Sequence, residues 1–161
     1  MKKLISLLNK KHLVLPVAAM LFFACQLDVP VQEMKDARAA IQSAKDVDAE
    51  KHNPDELARA ESLLLQAHTE LTEENADAAK ASAILAMESA RIAEKNSLPP
   101  FAQEKISAAD DKYNEADKLY AAKFSPEKFS RAGELNTEAK TAFDAGEYRR
   151  AASLADEALA L

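Results

Sequence analysis

The chain of 161 residues holds one thiol, Cys25, which is the most nucleophilic side chain it could offer. With no second cysteine, no disulfide can close within the chain. A bridge to another chain would need an oxidising compartment. Other residues suited to chemistry are sparse. Past the N-terminal stretch the histidines are His52 and His68, and neither stands in HExxH or another metal-ligand spacing. Asp110-Asp111 and Thr72-Glu73-Glu74 supply carboxylates without the loop spacing of a calcium site. Serines beside acids occupy cap or exposed positions, and no nucleophile elbow is present. Gly133 and Gly146 are the only glycines, so no phosphate-cradling loop can be built. These residues argue against an enzyme and call for neither cofactor nor metal.

The surroundings of Cys25 give its chemistry a place. Residues 1–12 carry Lys2, Lys3, Lys10 and Lys11 and no acid, and Leu13 to Ala24 are apolar without a break. A basic head, a short apolar segment and a small residue before the cut form a secretory signal peptide over residues 1–24. The run is too short for a membrane span, which needs about 20 residues. Leu21-Phe22-Phe23-Ala24-Cys25 resembles the lipobox of bacterial lipoproteins. Phe22 and Phe23 replace the usual leucine and small residue, a looser form similar to spirochaetal lipoboxes. The resemblance implies that the Cys25 sulfur receives a diacylglycerol and that Cys25 becomes the new N-terminus. Two or three acyl chains, at about 0.8 kcal/mol per buried methylene, anchor a protein without a spanning helix. Gln26, rather than aspartate, after the cysteine implies the outer membrane.

The rest of the chain must be carried by that anchor. Losing residues 1–24, with four lysines and no acid, takes the net charge from −6 to −10. Such a chain is a poor partner for nucleic acid or an anionic lipid surface. Alanine is abundant, β-branched residues are few and glycine is nearly absent, which favours helix and argues against sheet. Residues 25–30 read as the lipidated cysteine and a tether. Met34, Ala37, Ile41, Ala44 and Val47 form one stripe on a helix expected to reach Lys51. Asn53-Pro54 caps the next helix, with Leu57, Ala60, Leu64, Ala67 and Leu71. A third runs from Ala76 to Lys95 with Ala79, Ala83, Ala86 and Ala90 inward, and Asn96 to Pro100 is expected to break it. Phe101 to Lys123 restarts with Ile106, Ala109, Tyr113, Ala116 and Tyr120. Ser125-Pro126 opens a helix bearing Phe129, Ala132, Leu135, Ala139 and Phe143, with Gly146 as its C-cap. Tyr148, Ala151, Ala155 and Ala158 mark the last helix.

Sliding the chain along itself until Asn53 falls on Ser125 aligns its halves without a gap. Asn53-Pro54 then meets Ser125-Pro126, Arg59-Ala60 meets Arg131-Ala132, and Leu63 meets Leu135. Ala79, Ala83 and Ala86 meet Ala151, Ala155 and Ala158. The reading is an all-α chain of two three-helix repeats, 31–98 and 99–161, stacked antiparallel as a bundle or solenoid. The stretch Ala139, Phe143, Gly146, Tyr148, Ala151, Ala155, Ala158-Leu159 resembles a tetratricopeptide-type repeat. That family repeats about every 34 residues, roughly half the offset found in this chain. The mature chain is also similar to a group of small helical bacterial lipoproteins.

Aromatic residues gather in the second repeat. Tyr113, Tyr120, Phe124, Phe129, Phe143 and Tyr148 either pack a core or line a groove for a peptide or partner helix. Arg149-Arg150 interrupts the acidic surface and could meet an acidic partner. Tyr113, Tyr120, Phe143, Tyr148, Arg149 and Arg150 are therefore the candidate partner-binding residues, and Cys25 the lipidation site. The expected function is a lipid-anchored envelope protein that binds, scaffolds or assists another envelope protein. The alternative is a structural spacer lipoprotein that forms a homo-oligomer through its alanine-rich faces.

Overall fold

The computed structural model describes residues 29–161. Cys25 and the signal segment lie outside the described residues. Those described are helical nearly throughout, with no strand among them. The helices are α1 Val31–Lys45, α2 Ala49–His52, α3 Pro54–Thr72, α4 Ala76–Lys118, α5 Ala121–Phe124, α6 Pro126–Asp144 and α7 Tyr148–Leu159. The bounds of α5 and α6, and the start of α7, repeat those of α2, α3 and α4 at the one offset that carries Asn53 onto Ser125.

The helix α4 is the spine, 43 residues long and about 65 Å if straight. Its first part packs against α1 and α3, and its second part against α6 and α7. Among the described residues, eighteen of the 24 buried apolar ones are alanine, so helix axes can approach closely and bury a backbone-rich seam. Met34, Ala37, Ile41 and Ala44 of α1 are all buried, as the spacing predicts. Ala79, Ala83, Ala86 and Ala90 form the matching face of α4. Ala102, Ile106 and Ala109 continue α4 into a second cluster with Leu135, Ala139, Ala151 and Ala155.

The expected break at Asn96 to Pro100 does not occur, and α4 runs through Pro99 and Pro100. The two rings deny hydrogen-bond donors to the carbonyls of Lys95 and Asn96. Packing overrides this local penalty. Ser97 and Ala102 on either side are fully buried, and the residues between them are half-buried. The domain boundary drawn at 98/99 therefore falls inside one helix.

Two expected helices end early. The first stops at Lys45, and Asp48 adopts a left-handed conformation (φ 53°) before α2 begins. Tyr120 (φ 61°) does the same between α4 and α5. Tightened bonds from Val47 N–H to the Ala44 carbonyl and from Leu119 N–H to the Ala116 carbonyl close the preceding turns. No glycine marks either site, which is why periodicity alone runs past them. Asn53 and Ser125 do precede their helices, although neither side chain makes a capping bond. Asn75 does cap, accepting from Ala78 N–H at 3.2 Å.

The α6–α7 turn is a Schellman motif. Glu147 N–H bonds the Ala142 carbonyl and Gly146 N–H the Phe143 carbonyl, with Gly146 at φ +78°. The α3–α4 turn makes the same pair of bonds, from Asn75 to Glu70 and from Glu74 to Leu71, with Glu74 at φ 61°.

Ion pairs strap the other helices to α4. They include Glu33–Lys80 at 2.9 Å, Lys51–Glu104 at 2.6 Å, Lys140–Asp110 at 2.8 Å and Lys105–Asp156 at 2.9 Å. The Lys80 hydrogen bond holds the Glu33 carboxyl below its ordinary range, and Lys51 does the same for Glu104. Such exposed pairs are screened by solvent and contribute little, so the alanine seam dominates. Arg59 and Arg131, at matching places in the two halves, are exposed and pair with Glu56 and with Glu134 and Glu138.

Replacing Pro100 by alanine should raise the unfolding free energy by about 2 kcal/mol, because it restores a helical donor. An unchanged denaturation midpoint would show that α4 is not continuous there. Glu74→Gly should stabilise by about 1 kcal/mol and Gly146→Ala destabilise by a similar amount, since only glycine enters the left-handed region without penalty. Paired thermal melts would read both.

Candidate functional site

The second part of α4, with α5, α6 and the end of α7, encloses an open groove of about 360 Å³. Its lining is mainly apolar, with Tyr113 and Ala116 from α4, Ala121 from α5, and Phe129 and Ala132 from α6. Tyr113 and Phe129 stack with ring centres 4.3 Å apart and planes 13° from parallel. A glycine is needed beside them. A Cβ at Gly133 would stand 3.0 Å from the Tyr113 hydroxyl, so a larger residue would push the ring aside. The charged side chains lining the groove are Lys112 and Lys128, with no carboxylate side chain among the lining residues. The connection beside it exposes Leu119 (70 %), Tyr120 (70 %) and Phe124 (75 %).

The matching positions of the first repeat have the opposite fate. Ile41, Ala44, Ala49, Leu57 and Ala60 are buried in one cluster, closed by Ala90 and Ala93 of α4. Val47, which corresponds to Leu119, is 1 % exposed. The helix α7 ends at Leu159 and the sequence at Leu161, which corresponds to Ser89. Among the described residues none stands where Ala90 and Ala93 stand in the first repeat.

The candidate residues divide into two groups. Tyr113 is in the wall of the groove, and Tyr120 is exposed on the turn beside it. Phe143 and Tyr148 meet edge to face at 5.1 Å and pack on the core beneath the α6–α7 turn. Fourteen positions of α6 separate Phe129 from Phe143, roughly 21 Å along the helix, so the aromatics form no single surface. Arg149 donates to the Glu94 carboxylate and, at 3.0 Å, to the Ser43 hydroxyl, tying α7 to α4 and α1. Arg150 pairs with Glu147 at 2.8 Å, and that hydrogen bond raises the guanidinium pKa. Both cations are thus engaged within the chain.

Among the described residues no group of three or more His, Cys, Asp or Glu is placed to hold a metal. No described helix is long and apolar enough to cross a membrane. His68 lies exposed with its Nε2 3.4 Å from the Arg38 guanidinium. The Nε2 of His52 stands 3.6 Å from Glu104, too long for a hydrogen bond, and is buried without a partner among the described residues.

Reading the stripes missed Lys112, Lys128, Asn136 and Leu119. The signal for Asn136 was present in the offset, since it takes the position of Leu64. It is buried, donates to the Ala109 carbonyl at 3.4 Å, and has no described donor for its own Oδ1.

Residues 32–98 match a family described as a domain of unknown function (DUF4398). The match covers less than half of the chain and ends at Leu98, just before Pro99-Pro100. No curated protein matches the chain. No solved structure matches it either.

Asn136→Leu should stabilise the fold by about 1 kcal/mol, because a buried unpaired acceptor costs roughly 1–3 kcal/mol. A lower melting temperature in that variant would show that the amide is satisfied after all.

Proposed function

We propose that this chain is a lipid-anchored cell-envelope protein that acts as a helical protein–protein interaction module, as a scaffold or in a chaperone-like way. The observation that carries the reading is the groove beside Leu119, Tyr120 and Phe124. Large apolar side chains left open together mark surfaces that meet another macromolecule. The residues that could do chemistry do not converge there. The lipobox-like Leu21 to Cys25 supplies the anchor and puts the module outside the cytoplasm, with the outer membrane implied by Gln26.

In this reading the helices form two tetratricopeptide-like repeats joined through α4. Support comes from the element bounds that recur at one constant offset and from the left-handed residues at matching places, Asp48 with Tyr120 and Glu74 with Gly146. The third helix of the first repeat runs on as the first helix of the second.

Cys25→Ser should leave the protein uncleaved, free of fatty acid and in the aqueous phase of a detergent partition. Mass spectrometry of the native N-terminus reads the outcome. A native protein beginning at Met1 without acyl groups would remove the anchor from this reading. Crosslinking in intact cells should recover an envelope protein, and no recovery above background would remove the docking role.

A further inference from the structure

We infer that the open groove of the second repeat receives an amphipathic helix from a partner protein, with small residues on its buried stripe and acidic residues on its flanks. The inference rests on reading the chain as a docking module, and it names what docks and where.

The first repeat shows what such a groove takes. There Ala90 and Ala93, both fully buried, pack into Ile41, Ala44, Leu57 and Ala60. Ser97, one further turn along the same face, is fully buried as well. The occupant of that groove is a helix with small side chains at steps of three and four. In the second repeat the same backbone scaffold is present, and no described residue fills that place. Its walls keep alanines at Ala116 and Ala132, matching Ala44 and Ala60, so a helix can still approach closely.

Two changes give the second groove its own preference. Stacked Tyr113 and Phe129 replace Ile41 and Leu57, offering a larger flat apolar wall. Lys112 and Lys128 replace Ala40 and Glu56, so the groove is lined by cations in a chain of net charge −6. Lys112 has one partner at 3.6 Å, Glu115 on its own helix. A helix with carboxylates on both flanks gains from both lysines, whereas the chain's own stripe carries a carboxylate, Glu94, on one flank alone.

The test uses the purified protein and two stapled helical peptides. One has the sequence of residues 86–98, and the other carries Ser89→Glu and Asn96→Glu, which place carboxylates on the flank opposite Glu94. The acidic peptide should bind at least threefold tighter in low salt, and 0.5 M salt should remove the difference. Ala132→Trp, which fills the groove, should abolish binding, and Lys112→Glu with Lys128→Glu should reverse the preference. Melting curves verify that each variant folds. Failure of both peptides to bind, or binding indifferent to all three substitutions, overturns the inference. So does a dimer in sedimentation that Ala132→Trp dissolves, because a second copy would then be the occupant. If cellular crosslinking still recovers an envelope protein when the peptides fail, the docking role stands and only this occupant falls.

Discussion

Close approach of helices across alanine is the constraint on which this architecture depends. A side chain with one methyl group contributes little burial of its own, so the seam gains stability by bringing whole helix faces together. That makes the seam intolerant of bulk and gives α4 its role. Only a helix presenting alanine on both parts can be the shared partner of α1 and α3 at one end and of α6 and α7 at the other. The surface ion pairs fix orientation around this seam more than they stabilise it.

The proline pair shows how strongly that seam acts. Two missing donors and the steric bias before a proline argue locally for a break. The helix persists because Ser97 and Ala102 are buried on either side of the pair, and a bend would separate the two clusters they join. The family match stops at Leu98, on the same edge, so the part similar to that family ends where the shared helix passes into the second cluster.

Near-identical backbone bounds with opposite burial are the most informative contrast in the molecule. Val47 and Leu119 occupy matching turns, one sealed and the other open. The difference lies in what covers them. Ala90 and Ala93 cover the first set, and no described residue covers the second. The residues around the open set have also changed, towards stacked aromatics and lysine.

Several features were legible in the residues themselves. The helical class followed from abundant alanine and scarce glycine, and the inward stripes of α1 and α4 from spacing, because periodicity is a property of the backbone alone. The constant offset between the halves was visible for the same reason, and so was the Gly146 turn. Other features needed the tertiary structure. The passage through Pro99-Pro100, the left-handed turns at Asp48 and Tyr120, and the separation of Phe143 and Tyr148 from Tyr113 are decided by which faces meet. So is the pairing of Arg149 with Glu94, made between helices far apart in the chain. Burial at the matching positions of the two halves cannot be read from local pattern, because the same stripe is core or surface according to whether another helix lies over it.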